Sequence, residues 1–194
     1  MAELTKGERS RQAILNAAAA LVRRQGVQNT SMADIIATSG ASAGAIYHHF
    51  AGKQAIMAAL AKRTLEWPLD ALANSDGQWT PVDLFQATMA TLDAAPDVGG
   101  LVVQLVLAAV SDDALGHALF EQFAPVLSAV QAALGDWAVG HGVTPGELPG
   151  IIQIVLGMSA GYNMQRLLNP TFDADGYRER CVRLLKSLDA PQPA

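Results

Sequence analysis

Residues 31–50 read SMADIIATSGASAGAIYHHF, and they contain two short helix-forming segments on either side of Gly40. Ser31 begins the first segment, and Asp34 three residues later completes a capping-box pattern. Ser42 is a good N-cap for the second segment. Two short helices joined by a glycine-bearing turn, with a longer helix before them, are typical of a helix-turn-helix unit. The three predicted helices cover about 8–25, 31–39 and 42–50.

The third predicted helix has one apolar side and one side of small or polar residues. The apolar side and the helices beneath it supply a small core made of Leu21, Val22, Ile35, Ile46 and Phe50. At about 100° per residue, the opposite side presents Gly44 and His48, with Ala45 and Tyr47 on its flanks. Small residues permit close approach of another surface, and tyrosine and histidine can donate hydrogen bonds. We therefore predict that this side faces DNA.

The adjacent histidines His48 and His49 are predicted not to form a metal site. Neighbouring residues point about 100° apart on a helix, whereas shared ligation needs residues three or four apart. His49 falls on the core side and is predicted to be a core-edge residue. Cys181 is the single cysteine, which excludes an internal disulfide and a cysteine-based zinc site. Without a nucleophile–base set, a phosphate loop or a metal cluster, the sequence predicts no enzyme, no cofactor and no metal.

The sequence TSMADIIATSGASAGAIYHHFAGKQAI, residues 30–56, resembles the N-terminal signature of the TetR (tetracycline-repressor) family of regulators. A threonine/serine start, an Asp-Ile pair, a Gly-x-Ser turn, a Gly-x-Ile-Tyr-x-His-Phe recognition helix and a following lysine occur in that family's order and spacing. The match covers about residues 8–60, and the remainder is similar only in its helical layout and length. The resemblance implies a double-stranded DNA operator, a small-molecule effector and a homodimer as partners.

The resemblance also implies which residues meet DNA. Phosphate contacts would fall on Thr30 or Ser31, Tyr47 and Lys53. Base-facing positions would fall on Ser42, Ala43, Gly44, Ala45 and His48. The sequence departs from the family pattern at Ala45, where threonine is common, and at Ala41, where valine is common. Because Ala45 lacks a hydroxyl, the base-reading assignments are weaker than the phosphate assignments.

The charge distribution also favours a nucleic-acid partner for the N-terminal part. Residues 1–66 hold eight basic and four acidic groups, a net charge of +4, and the remainder holds five basic and fourteen acidic groups, a net charge of −9. A basic head on an acidic body suits a chain that meets a polyanion at one end.

The charged N-terminus MAELTKGERSRQ has no apolar signal core, and the longest apolar stretch, 101–110, is shorter than the ~20 residues of a membrane span. A cytoplasmic protein that does not enter a membrane is therefore expected.

The rest of the chain also predicts helices, because helix-forming residues dominate and no run alternates with period two. Thr80 and Pro81 look like a helix start, and Pro68 is expected to stop or kink the fourth helix. These helices cover about 53–68, 80–95, 98–111, 113–140, 146–168 and 173–189. The fold class is therefore all-α. The predicted domains are a helix-turn-helix DNA-binding domain, a helical ligand-binding and dimerisation domain and a disordered tail, at residues 1–51, 52–190 and 191–194.

In the family, the last two helices pair with those of a second subunit. Gly157 and Gly161 would give one helix a small face for close approach, or they could pack within the chain. The predicted dimerisation residues are Ile154, Gly157, Gly161, Leu184 and Leu188. The family also implies an apolar ligand cavity, although the same residues could be ordinary core. The predicted ligand-binding residues are Phe85, Met89, Gln104, Leu107, Phe120, Phe123, Trp137 and Met158.

Together these features predict a ligand-responsive, DNA-binding transcriptional regulator. It would act as a repressor that binds a quasi-palindromic operator as a homodimer and is released by a small, largely apolar effector. The alternative is a helical small-molecule carrier whose DNA-binding head is vestigial. The two hypotheses differ in whether the protein shifts its own upstream DNA in a gel.

Overall fold

The computed structural model describes residues 5–73 and 79–189. Within these ranges the chain forms ten α-helices and a short 3-10 helix, and no strand, so the all-α prediction is confirmed. The first five helices are α1 (Lys6–Gln25), α2 (Met32–Ser39), α3 (Ala43–His49), α4 (Lys53–Ala73) and α5 (Pro81–Ala94). The others are α6 (Pro96–Val110), α7 (Asp113–Ala133), α8 (Gly135–Gly140), α9 (Leu148–Leu168) and α10 (Ala174–Lys186), followed by the 3-10 turn Ser187–Asp189.

Local capping sets the bounds of the first helices, close to the predicted ones. The Ser31 side chain accepts from the Asp34 N–H at 3.1 Å, and the Ser31 N–H donates to Asp34 Oδ2 at 2.9 Å. Gly40 ends α2 with φ of 69°, a left-handed conformation that glycine adopts without steric cost. The Ser42 side chain then accepts from the Ala45 N–H at 3.2 Å and begins α3. The predicted core is confirmed, since five residues are at most 5 % exposed: Leu21, Val22, Ile35, Ile46 and Phe50.

The capping box of α2 also makes the stability of the protein depend on pH in the acid range. Hydrogen bonds from the side chain and then the backbone of Ser31 hold the pKa of Asp34 below its usual range. Because folding lowers this pKa, the stabilisation is present above the ordinary carboxyl pKa of about 4 and is lost as pH falls through the folded-state value. We expect the urea midpoint of the wild-type protein to fall more between about pH 5 and pH 2 than that of Asp34→Asn. An equal fall in both proteins would contradict this role for Asp34.

Two predicted helix ends are wrong. α4 does not stop at Pro68 but continues to Ala73, because a single proline removes one backbone hydrogen bond without forcing a helix to end. The predicted helix over 113–140 is two helices, which separate at Leu134. Leu134 has φ of −88° and ψ of −2°, and Gly135 after it is a poor helix former. The Leu134 side chain at this break is buried.

The chain divides into two compact units. The first comprises Met1–Glu66 with Gly100–Ala124, and the second comprises Trp67–Gly99 with Pro125–Ala194. Three helices, α4, α6 and α7, run from one unit into the other. The first unit therefore contains more than the predicted DNA-binding domain, and the boundary predicted after residue 51 stays a prediction.

The second unit contains a network of polar side chains that connects α5, α9 and α10. Asp93 accepts from the Tyr162 hydroxyl at 3.0 Å and from Arg178 Nη2 at 2.5 Å. On the same helix as Tyr162, Asn163 Nδ2 donates to the Gly99 carbonyl oxygen at 3.0 Å. A Cβ on Gly99 would lie 2.3 Å from Asn163 Oδ1, so a larger residue would displace this amide. Specific polar contacts, and not apolar packing alone, therefore hold the start of α6 against α9.

No single helix among the described residues has the length and apolar composition to cross a membrane. The consecutive helices α5 and α6 are together long and apolar enough for a membrane span, but the chain bends sharply between them.

Candidate nucleic-acid interface

The outer side of α3 is exposed and consists mainly of small residues. Ile46 is fully buried, while Ser42, Ala43, Gly44 and His48 are exposed. Gly44 and His48 are exposed as the helical wheel predicts. Ser42 and Ala43 are exposed as well, although the wheel places them within about 60° of Ile46 on the core side. The remaining base-facing candidate, Ala45, is half-buried. None of these side chains offers the paired donors and acceptors of arginine, asparagine or glutamine for a bidentate base contact.

Gly44 is the position at which this helix permits the closest approach. A Cβ built on Gly44 would meet no other atom within 4 Å. Packing inside the protein therefore does not require glycine here, and the residue costs helix stability compared with alanine. An external surface that comes close to the backbone would explain the need for a small residue.

The phosphate candidates differ in how freely their side chains reach the surface. Tyr47 is 56 % exposed, which is high for a large aromatic residue. Ser31 is exposed at the N-terminus of α2, where unpaired N–H groups favour an anion. Thr30 is only 1 % exposed, and its hydroxyl donates to the Gly26 carbonyl oxygen at 2.8 Å. Of the two alternatives at this helix start, Ser31 is therefore the one whose side chain lies at the surface.

Lys53 is the first residue of α4, and its side chain reaches the connection between α1 and α2. Its ammonium group donates to the Gln28 carbonyl oxygen at 3.4 Å. An ammonium group has three hydrogens, so this bond leaves donors for a phosphate oxygen. The first-turn N–H groups of α4 add a favourable partial charge at the same place. No spacing rule predicts the contact with Gln28, because 25 positions separate the two residues.

The two histidines do not form part of a metal site in the described residues. Their ring centroids are 5.3 Å apart in an edge-on arrangement, with His48 exposed and His49 half-buried. Across residues 5–73 and 79–189, no group of three or more histidine, cysteine, aspartate or glutamate side chains is placed to hold an ion.

Arg11 makes a contact that the sequence does not predict. Its guanidinium carbon lies 5.3 Å from the centroid of the Phe50 ring, at the end of the recognition helix. A cation over an aromatic face is attracted by the ring quadrupole. The contact places one positive charge of α1 beside α3, although 39 positions separate the residues and no spacing rule connects them.

This arrangement agrees with the comparisons to known proteins. Residues 14–60 match the family model "Bacterial regulatory proteins, tetR family". The DNA-binding head belongs to the TetR family. TetR-family regulators are DNA-binding transcription factors and not enzymes, so this protein is a transcriptional regulator with a helix-turn-helix DNA-binding head.

Solved structures share the fold over nearly the whole chain. Salmonella enterica GusR is 21 % identical with a TM-score of 0.80, and the match covers 96 % of this chain and 98 % of GusR. FadR from Bacillus subtilis, solved with stearoyl-CoA, is 16 % identical with a TM-score of 0.70 and coverages of 90 % and 96 %. At these identities the likeness shows the common fold alone. No curated protein is significantly similar to this chain in sequence.

The predicted ligand-binding residues of this TetR-family regulator are divided equally between the two compact units. The first unit contains Gln104, Leu107, Phe120 and Phe123, and the second contains Phe85, Met89, Trp137 and Met158. Leu107 and Phe120 are 59 % and 64 % exposed, whereas Phe85 and Met89 are buried. Within the first unit, Phe123 lines an apolar crevice together with Ala61, Thr64, Val102, Leu105, Val106 and Leu119.

The predicted dimerisation residues also differ in their surroundings. Ile154 and Leu184 are 54 % and 59 % exposed, and a Cβ on Gly157 would meet nothing within 4 Å. Leu188 is half-buried. A Cβ on Gly161 would lie 3.0 Å from the Tyr177 hydroxyl of α10. Gly161 therefore packs within the chain, as the alternative interpretation of the glycines has it, while Gly157 is open to a second molecule.

Proposed function

We propose that this regulator is a repressor that binds a quasi-palindromic operator as a homodimer and leaves it when a small, largely apolar effector binds. The observation that carries the proposal is the exposed, small-residue side of α3, which the exposed Tyr47 adjoins in the same helix and which Lys53 follows at the start of the next helix. Small residues on this side would let the backbone of α3 lie deep in a major groove, while Tyr47 and Lys53 contact phosphates. The sparse base-reading side chains favour an operator that is recognised partly through its shape.

A gel-shift experiment with the DNA upstream of the protein's own gene tests the proposal. We expect a shift that an unrelated duplex of equal length does not compete away. The absence of any shift at low salt would contradict operator binding, since low salt strengthens contacts with phosphate.

Tyr47 and Lys53 are expected to contact DNA phosphates and not to recognise bases. Lys53→Ala should weaken binding to all duplexes and lower the slope of log affinity against log salt by about one phosphate contact. Tyr47→Phe should weaken binding to all duplexes without a change in sequence preference. Fluorescence anisotropy at several salt concentrations measures both effects. Lys62→Ala is the matched control, because Lys62 is another lysine of α4 that is exposed but lies farther along the helix. An altered sequence preference with an unchanged salt slope would contradict the phosphate assignment.

An apolar stripe on α9 supports a homodimer. Ile154, Met164 and Leu168 are 54 %, 36 % and 73 % exposed, and they lie on one side of the helix with Gly157 between them. The opposite side is buried and carries Val155 and other core residues. In a second copy, the same stripe would cover this surface in an isologous contact. Two heads about one DNA turn apart, roughly 34–36 Å, would then read two half-sites.

The apolar crevice of the first unit supports an effector of low polarity. It lies among residues of α4, α6 and α7, and its volume is about 10 Å³, which is room for about one water molecule. An effector that enters it must widen the space between these helices. Ala61 and Thr64 of the crevice are on α4, the helix that begins with Lys53. Effector binding would therefore favour a conformation in which the phosphate contact of Lys53 is displaced.

A further inference from the structure

The positive charge of Arg11, beside the recognition helix, has no acidic partner among the described residues. The side chain is exposed, and its one recorded contact there is with the ring of Phe50. Glu8 is the acidic residue closest to Arg11 in the sequence, three positions earlier on α1. Its carboxylate, however, accepts from the Thr5 N–H at 2.7 Å and caps the helix. The contacts within the head therefore do not account for a cation at this position.

The Phe50 ring supports the guanidinium group without occupying its hydrogen-bond donors. Phe50 is 5 % exposed and belongs to the hydrophobic core beneath α3, so the ring has a fixed position. A guanidinium group has five N–H donors in one plane, and attraction to a ring face does not require them as hydrogen bonds. The ring also restricts a long side chain that would otherwise be mobile, which lowers the entropy that is lost when its donors bind. Arg11 is therefore oriented and still able to bind an anion.

The position of Arg11 next to α3 favours a phosphate as that anion. Phe50 directly follows α3, a helix of seven residues, and Tyr47 lies three positions before it, which is nearly one helical turn. A major groove is about 12 Å wide and a helix with its side chains about 10–12 Å across, so phosphates lie immediately beside a helix in the groove. Residues that flank α3 are therefore placed to meet the DNA backbone, and Arg11 flanks the half that carries Tyr47.

We propose that Arg11 is a further phosphate-binding residue of the head, held beside the recognition helix by the ring of Phe50. The inference rests on the DNA-binding function and needs neither the repressor role nor the effector. Hydrogen bonds between a guanidinium group and phosphate oxygens are charge-assisted and can be bidentate. A phosphate contact carries no base information, so Arg11 strengthens binding to every duplex. It also adds α1 to the helices that position α3 on the DNA.

Fluorescence anisotropy of the full-length protein tests the proposal with two labelled duplexes of equal length and unrelated sequence. Arg11→Gln should weaken binding to both duplexes by about three- to tenfold at low salt. The slope of log affinity against log salt should fall by about 0.9 for each bound head, the value for one phosphate contact. Arg11→Lys keeps the charge without the planar group, so it should keep most of the slope and weaken binding less than Arg11→Gln.

Arg23→Gln is the matched control, because Arg23 is an exposed arginine of the same helix that lies about 18 Å farther along it. Circular dichroism verifies that each variant is folded. Weaker binding by Arg11→Gln with a wild-type salt slope would indicate a structural role only and would overturn the proposal. An equal loss of slope in Arg23→Gln would overturn it as well. If the wild-type protein bound neither duplex at low salt, the DNA-binding function itself would fail, and the proposal with it.

Discussion

The Gly157→Arg variant is expected to be a folded monomer that binds its operator about 10²–10⁴-fold more weakly than the wild-type protein. Space around Gly157 is open within the chain, so the arginine side chain can extend into solvent without displacing a neighbour. In a dimer built on the exposed stripe of α9, however, it would place an unpaired charge against apolar side chains of the second copy. A monomer binds DNA with one head only. It therefore loses the affinity gain that a dimer has because its second head is held close to the second half-site.

Sedimentation velocity and fluorescence anisotropy measure the two parts of this prediction. Gly146→Arg is the matched control, because Gly146 is exposed, has equal space around it and lies in the loop before α9. This control should remain a dimer with full operator affinity. A Gly157→Arg protein that sediments as a dimer would refute the placement of the interface on α9. A monomer that keeps its operator affinity would refute the need for two heads.

The Gly44→Glu variant is expected to bind its operator about 100-fold more weakly, or worse. Like charges that are brought together at an interface cost several kcal/mol, and about 1.4 kcal/mol corresponds to a factor of ten. The fold should tolerate the change, since a Cβ at this position meets no other atom within 4 Å. Thermal unfolding should show equal or higher stability, because glycine is a poor residue inside a helix.

Gly44→Gln separates the charge of the new side chain from its size. The glutamine has nearly the shape of glutamate, so it should weaken binding less than Gly44→Glu and without a large change in salt dependence. Gly44→Ala should have a small effect. Wild-type affinity in Gly44→Glu would show that this side of α3 does not face DNA.

Much of the DNA-binding head could be predicted because its determinants are local. Ser31, Asp34 and Ser42 cap helices through contacts three residues apart, and Gly40 marks the turn by its left-handed conformation. The core side of α3 follows from helical periodicity alone, which is why Ile46 was placed correctly. The same periodicity places Gly44 and His48 on the exposed side, but it does not account for the exposure of Ser42 and Ala43 at the start of the helix.

Tertiary contacts account for what the sequence did not predict. Periodicity shows that Gly161 lies on a small helix face, but not that the Tyr177 hydroxyl approaches it from another helix. Similarly, nothing in the spacing of Arg11 and Phe50 indicates that their side chains are in contact. In each case, two segments far apart in the chain decide the outcome.

The three helices that connect the compact units share a mechanical property at the points where they cross. α4 crosses between Glu66 and Trp67, next to Pro68, and α7 crosses between Ala124 and Pro125. α6 crosses within the pair Gly99-Gly100. Proline removes a backbone hydrogen bond, and glycine lowers helix stability by about 1 kcal/mol. Each connecting helix therefore carries, at or next to the crossing, a residue type that weakens a helix.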